Sequence, residues 1–162
     1  MATLTVWKFD SAEGADQAVE TLRDLVSQEL ITLHDAATVS WPSDKKKPKT
    51  RQLSNLAGKG ALGGSFWGLL FGLLFFVPLL GVAIGAATGA LAGALSDVGI
   101  DDSFIDNVRK EVTPGTSALF ALTSDAVLEK VLPAFEELRP TLIQSNLSGD
   151  DEAKLLATFG ED

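Results

Sequence analysis

The chain has 162 residues, which favours one compact domain with an added segment, and it contains no cysteine, so disulfides and thiol chemistry are excluded. Its formal net charge is −9, from 13 basic and 22 acidic side chains, so most of the surface is expected to repel a polyanion. The only histidine is His34, and without further ligands or a nucleophile beside it we expect neither a zinc site nor a catalytic centre. The first residues lack a basic region followed by an apolar core, so no secretory signal is expected, and a reducing cytosol is favoured.

Residues 1–44 are predicted to form a strand, a helix and a second strand. The first strand covers residues 4–9 and divides its side chains between two faces, Thr5, Trp7 and Phe9 on one and Leu4, Val6 and Lys8 on the other. Asp10 or Ser11 can cap the helix. Its apolar positions recur with helical period: Ala15, Ala18, Val19, Leu22, Leu25 and Val26. The second strand covers residues 31–41, and its imperfect alternation around His34 and Asp35 predicts a β-bulge or a local twist.

Residues 45–59 are predicted to be a basic linker. They carry six basic and no acidic side chains: Lys45, Lys46, Lys47, Lys49, Arg51 and Lys59. The remaining chain has 13 − 6 = 7 basic against 22 acidic side chains, a charge of −15. A basic segment directly before an apolar one is typical of a cytoplasmic membrane anchor, in which each base near anionic lipid contributes about 1 kcal/mol. A solvated linker is the alternative, and nucleic acid is less favoured because no aromatic side chains interleave with the bases.

Residues 60–96 contain no charged side chain and are predicted to form a helical hairpin. Two runs of glycine at every fourth position lie within them: Gly60, Gly64, Gly68 and Gly72, then Gly81, Gly85, Gly89 and Gly93. Each run stays on nearly one face of a helix, where another backbone can approach closely, as in membrane helices. Pro78 separates the two helices, residues 60–76 and 79–95. We therefore expect these eight glycines to pack helices together.

The tip of this hairpin is one of the most apolar stretches of the chain. It consists of Phe75, Phe76, Val77, Pro78, Leu79 and Leu80. Burying each large side chain contributes on the order of 1.5–3 kcal/mol, which exposure to water would forfeit. We therefore expect the tip to insert into a membrane from one side or to pack against copies of the chain. A soluble hairpin buried by its own chain is the alternative, which is less favoured because the rest of the protein is too small to cover both helices.

Residues 97–115 predict a short helix and a turn. Asp101 or Asp102 caps the helix, which carries Phe104, Ile105 and Val108, and the turn is Thr113-Pro114-Gly115. Residues 116–162 predict a strand over 117–123, a helix between Ser124 and Pro140, a strand over 141–147 and a last helix after Ser148. This order favours an α+β fold, a ferredoxin-like split βαβ–βαβ with the apolar glycine-zipper hairpin inserted between its halves. The bare sheet face is expected to be covered by a second subunit or by the extra helices.

Several segments resemble a known family. They are Trp41-Pro42, residues 45–52, Asn55-Leu56-Ala57-Gly58, residues 63–72, Val98-Gly99-Ile100-Asp101-Asp102 and residues 114–120. Over nearly its whole length the chain is similar to bacterial domain-of-unknown-function family twelve-sixty-nine, whose members are usually labelled membrane proteins. The resemblance implies a membrane-associated bacterial protein, and it supplies no activity and no catalytic residue.

The sequence thus predicts a non-enzymatic, self-assembling, membrane-associated protein without cofactor or metal. Its expected partners are further copies of the chain, in a large homo-oligomeric scaffold or shell, and membrane lipid, but not nucleic acid. The expected location is the cytoplasmic face of the bacterial inner membrane or a cytoplasmic lipid-containing assembly. The alternative is a ligand-binding ferredoxin-like module that holds a small apolar molecule at a subunit interface, which requires a cavity near Trp7, Trp41 and Phe120.

Overall fold

A computed structural model describes residues 2–28, 33–46, 48–52, 64–76, 100, 102–124, 133, 140–147 and 153. The elements are β1 (Ala2–Phe9), α1 (Gly14–Ser27), β2 (Leu33–Trp41), β3 (Lys49–Gln52), α2 (Gly64–Phe71), which continues as a π-helix (Gly72–Phe76), α3 (Asp102–Glu111), β4 (Thr116–Ser124) and β5 (Thr141–Leu147). The predicted second hairpin helix and the two predicted helices that follow Ser124 and Ser148 lie outside the described residues.

The five strands form one antiparallel sheet in the order β3-β2-β4-β1-β5. The central strand β4 comes from the second half of the chain and lies between β2 and β1 of the first half, so that Phe120 pairs with Val6 on one side and with Ala37 on the other. The predicted α+β class and antiparallel sheet are confirmed. The sheet has five strands rather than four because Lys49–Gln52, within the predicted linker, pairs with β2.

The irregularity predicted in β2 is present at His34. Leu33 pairs with Thr123 and Asp35 pairs with Leu122, so His34 is an extra residue that shifts the register. Beyond this bulge the side chains of Asp35, Ala37 and Val39 alternate onto one face of the sheet.

The sheet separates two apolar clusters, as the alternation in β1 predicts. One face packs against α1 through Trp7, Phe9, Ala15, Ala18, Val19, Leu22, Leu25, Ala36 and Leu119. On the other face, Leu4 and Val6 pack against α2, the π-helix and α3. The predicted apolar side of α3 is buried through Phe104, Ile105 and Val108. Within the described residues, the extra helices therefore cover this second face.

The beginning of α1 differs from its prediction. Neither Asp10 nor Ser11 caps the helix with its side chain, since α1 begins at Gly14 after a turn and its N-cap position, Glu13, makes no side-chain capping bond. Instead, Ser117 of β4 accepts a hydrogen bond from the Ala15 N–H at 2.8 Å and donates one to the Ser11 carbonyl at 2.7 Å. A strand distant in the sequence thus satisfies the free backbone groups at this helix end.

The turn before β4 has the predicted form. The Thr116 N–H donates to the Thr113 carbonyl at 3.1 Å, and Gly115 has φ = 90°, a left-handed conformation that glycine adopts without strain. The Gly115 N–H also donates to the Trp41 carbonyl at 2.6 Å. This bond holds the start of β4 beside the end of β2.

Candidate functional site

Helix α2 and the π-helix direct a stripe of aromatic rings towards the sheet. The rings of Trp67 and Phe71 stack at a centroid distance of 5.7 Å, and those of Phe71 and Phe75 stack at 6.2 Å. Phe120 lies edge-on beneath them, 6.3 Å from Trp67 and 5.1 Å from Phe71. Leu70, Leu73 and Leu74 are buried beside these rings. The packing of this described helix matches the alternative interpretation of the sequence, in which the helix is buried by its own chain.

A polar bond anchors the first turns of α2 to the β-bulge. The Trp67 indole N–H donates to Asp35 Oδ2 at 3.2 Å, and Asp35 Oδ1 accepts the Ala36 N–H at 2.8 Å. Asp35 is 0% exposed, so these donors replace water around a buried carboxyl group. In the sequence Asp35 stands out only as a neighbour of His34, and its bond to Trp67 is not predicted. An acid inside an apolar strand and an indole that needs an acceptor are the signals that could have found it.

Trp41 joins the turn that carries Lys45 and Lys46, residues 42–46, to the end of the π-helix. We call these residues the basic turn. The Trp41 indole N–H donates to the Lys45 carbonyl at 3.1 Å, and the indole ring meets the Phe75 ring edge-on at 5.9 Å. The turn itself closes through a bond of 3.0 Å from the Lys45 N–H to the Pro42 carbonyl. Lys45 and Lys46 are exposed, whereas Phe75 is only 2% exposed. The carbonyl of Lys45, the first lysine of the basic segment, and the ring of Phe75, at the beginning of the apolar tip, thus contact one side chain.

The other predicted lipid-contact residues are divided in space. Lys49 and Arg51 are exposed on β3, where they pair with Ser40 and Thr38 and so lie on the sheet face that carries α1. They therefore do not share a face with Phe75. On the edge strand of this sheet, such charges also discourage pairing with other strands. Lys47 and Lys59 lie outside the described residues.

The glycine positions that are described lie beside the aromatic stripe. Gly68 follows Trp67 by one residue, which rotates it by about 100° around the helix. It is exposed, and no described atom lies within 4 Å of a Cβ added at Gly68 or at Gly72. Gly64 is the first residue of α2. The remaining predicted glycines, Gly60, Gly81, Gly85, Gly89 and Gly93, lie outside the described residues, as do Val77, Pro78, Leu79 and Leu80, while Phe76 ends the π-helix.

Arg109 fastens α3 to the π-helix. Its guanidinium donates a hydrogen bond to the Leu73 carbonyl and lies 3.9 Å from Asp106 Oδ1. A π-helix shifts the backbone hydrogen-bond pattern, so an outside donor to one of its carbonyls supports the irregular turn. This role of Arg109 is not predicted from the sequence, because the π-helix that Arg109 supports has no sequence signature.

The described residues bear on metal binding and on the alternative function. Among them, no group of three potential ligands could hold a metal ion. The three rings at which the alternative places an apolar ligand, Trp7, Trp41 and Phe120, are 2%, 7% and 0% exposed. Trp41 packs against a ring of the π-helix and Phe120 against a ring of α2. Within the described part of the chain, no helix is both long and apolar enough to cross a bilayer.

These observations define an α+β protein whose five-stranded antiparallel sheet is covered on one face by a glycine-containing helix. The chain belongs to the family described as Protein of unknown function (DUF1269), whose profile matches residues 61–160. The matched region includes both glycine runs except Gly60, together with α3, β4 and β5, while β1, α1, β2 and β3 precede it. The resemblance noted in the sequence is thereby confirmed. Comparison with curated proteins found no match, and neither did comparison with solved structures.

Proposed function

We propose that this chain is a non-enzymatic, self-assembling protein that associates with anionic lipid at the cytoplasmic face of the bacterial inner membrane or within a cytoplasmic lipid-containing assembly. The observation that carries the proposal is the position of Trp41, which contacts both the basic turn and the end of the glycine-containing helix. Basic side chains around an apolar segment are the composition of an interfacial membrane-binding surface.

One part of the apolar tip contacts protein and the other part contacts lipid. Phe75 remains on Trp41, where exposing it would lose about 1.5–3 kcal/mol of burial. Lipid contact begins at Phe76 and continues through the sequence Val77-Pro78-Leu79-Leu80. Lys45, whose carbonyl accepts the Trp41 bond, and the next residue, Lys46, are exposed, and each provides about 1 kcal/mol near an anionic surface.

Self-assembly is assigned to the glycine runs. Gly68 is exposed beside a fully packed aromatic stripe, so a second helix can approach its backbone without displacing the core. Glycine in a helix costs about 1 kcal/mol relative to alanine, which close helix packing offsets. In finer detail we assign the scaffold to the ferredoxin-like class, which the strand order β2-β4-β1-β5 supports.

Lipid binding is tested by co-sedimentation with vesicles. The full chain is mixed with vesicles of phosphatidylglycerol and phosphatidylcholine, or of phosphatidylcholine alone, at low and high salt. Lys46→Glu is compared with Arg23→Glu on α1, because both side chains are exposed and both substitutions change the charge by two. We expect Lys46→Glu to weaken binding to anionic vesicles at least about five-fold, and salt to weaken it further. Equal binding by the two variants, or equal binding to both kinds of vesicle, overturns the lipid assignment.

Self-assembly is tested by light scattering of protein purified without detergent. Gly68→Leu adds a large side chain to the exposed glycine stripe, and Ser103→Leu adds the same side chain at an exposed position of α3. We expect smaller particles for Gly68→Leu alone. An unchanged particle size for Gly68→Leu, or a wild-type protein that is a monomer, contradicts this part of the proposal.

A further inference from the structure

A cleft of about 370 Å³ lies between the C-terminal half of α3 and the beginning of β5. Its walls are formed by Asn107, Lys110, Glu111, Thr141, Leu142 and Ile143. The three α3 residues follow one another at spacings of three and one, which places them on one side of the helix. This volume lies near the lower end of the range of small-molecule sites, about 300–1,000 Å³, which is enough for a small polar ligand.

The walls of the cleft carry one carboxylate, Glu111, and one ammonium group, Lys110, and these two groups differ in their ionic partners. The carboxylate of Glu111 is opposed by Lys8, whose Nζ lies 3.6 Å from Glu111 Oε2 and 2.7 Å from Asp10 Oδ1. Lys110 is exposed and has no ionic partner within the described part of the chain. Its ammonium group is therefore the charge left for a ligand. The side chains of Asn107 and Thr141 likewise have no hydrogen-bond partner among the described residues, and both can donate.

We propose that this cleft binds a phosphate-bearing group. Lys110 provides the positive charge, and Asn107 and Thr141 donate hydrogen bonds to the phosphate oxygens. Ile143, which packs on the same sheet face as α3, offers an apolar wall to the carbon part of the ligand. The phosphate belongs either to a lipid headgroup or to a free small molecule. Only the headgroup source rests on the proposed function.

The position of the cleft is compatible with a headgroup. Lys8 pairs with both Ala118 and Thr141, and Trp41 pairs with Thr116, so the cleft and the basic turn lie at the same end of the sheet. Three strand spacings separate β2 from β5, about 14 Å in all. One membrane surface can span that distance.

The first test is a titration of the full chain with inorganic phosphate, followed by NMR. We expect saturable shifts of the Asn107 side-chain amide, binding at least about ten-fold weaker in Lys110→Ala, and unchanged binding in the matched control Lys49→Ala on β3. Glu111→Gln should bind phosphate two- to three-fold more tightly, because a nearby negative charge is removed. The proposal is overturned by shifts that do not saturate or by equal affinity in Lys110→Ala. It is also overturned by weaker binding in Glu111→Gln, because the carboxylate would then contribute to binding, as it would in a cation site.

The second test separates the two sources and separates this inference from the proposed function. Lys110→Ala is measured against phosphatidylglycerol vesicles and against glycerol 3-phosphate. A headgroup site predicts weaker binding to both, and a site for a free phosphorylated molecule predicts weaker binding to glycerol 3-phosphate alone. Lys46→Glu should leave the phosphate titration unchanged. If vesicle binding is absent in the wild type while phosphate still saturates the cleft, the lipid function fails and the cleft assignment stands.

Discussion

The indole N–H of Trp67 donates a hydrogen bond to the buried carboxyl group of Asp35, and this bond ties α2 to the β-bulge of β2. Apolar packing has little directional preference, so the aromatic stripe alone would allow α2 to slide along the sheet. A buried polar bond at one end and the Trp41–Phe75 contact at the other fix its position. The bulge matters because it orients Asp35 towards the helix.

Removing the donor of this bond is expected to destabilise the protein. Trp67→Phe keeps an aromatic ring but leaves Asp35 Oδ2 without the indole N–H, a loss of about 1–3 kcal/mol in the free energy of unfolding, with lost ring packing in addition. Urea denaturation measures the change. The control is the cycle with Asp35→Ala, because the bond exists only when both partners are present. Strictly additive losses in the double variant would show that the two side chains are not coupled.

Two glycines should respond in opposite directions to the same substitution. A Cβ at Gly14 would clash with Phe9 Cβ, whereas no described atom lies within 4 Å of a Cβ at Gly68. We expect Gly14→Ala to lower stability by about 1–3 kcal/mol through overpacking, and Gly68→Ala to raise the stability of the dissociated monomer by up to about 1 kcal/mol. Thermal unfolding at low protein concentration distinguishes them. A Gly14→Ala protein as stable as the wild type would contradict the close approach of α1 to β1.

The long-range cap of α1 can be tested at Ser117. Ser117→Ala leaves the Ala15 N–H and the Ser11 carbonyl without their common partner in a buried position, so we expect a loss of about 1–3 kcal/mol. Ser103→Ala, at an exposed position of α3, serves as the matched control and should change stability by less than about 0.5 kcal/mol. Chemical denaturation of both variants measures the difference. Equal stabilities would mean that water satisfies the helix end equally well.

The ion pairs of Lys8 predict a pH dependence at alkaline pH. The hydrogen bond that Lys8 donates to the Asp10 carboxylate is the main cause that raises the pKa of Lys8 above its usual 10.5, with further contributions from the charges of Asp10 and Glu111 and an opposing effect of burial. A raised pKa means that the folded state holds the proton more tightly than the unfolded state. The stabilisation is therefore fully present below pH 10.5 and is lost as the pH rises through the higher pKa of the folded state.

The measurement compares urea denaturation of the wild type and of Lys8→Met between pH 7 and pH 11.5. We expect a constant difference between the two proteins up to about pH 10, followed by a decrease of the wild-type advantage. A difference that is already lost between pH 7 and pH 9 would indicate that another group titrates.

Local patterns predicted the elements well where the burial of an element follows from its own residues. The bounds of β5 are those of its prediction, and the bulge at His34 was visible as a break in alternation. In α1, the side chains of Ala15, Ala18 and Leu22 are buried as their period predicts.

The misses depend on residues far apart in the sequence. Ser117 caps α1 from 102 positions away from Ala15, so no local signal can announce it. β3 is too polar to show strand alternation and forms because β2 offers it an edge. The apolar face of α2 predicts that the helix is buried, but it does not predict against what. The apolar side chains of a sheet and the acyl chains of a bilayer both remove such a face from water. The cleft beside Lys110 arises only when α3 and β5 come together.

The interleaved strand order has a consequence for synthesis on the ribosome. Thr116, the first residue of β4, follows Trp41, the last residue of β2, by 116 − 41 = 75 positions. The ribosome therefore begins the strand that pairs with both β1 and β2 only at the 75th residue after β2. At about 5–20 residues per second, this interval lasts roughly 4–15 seconds. The glycine-rich segment, residues 60–96, is made within this interval, and it leaves the ribosome before β4 does, when the sheet that receives α2 does not yet exist. The nascent chain therefore presents its most apolar stretch to chaperones or to a nearby bilayer before it has a fold of its own.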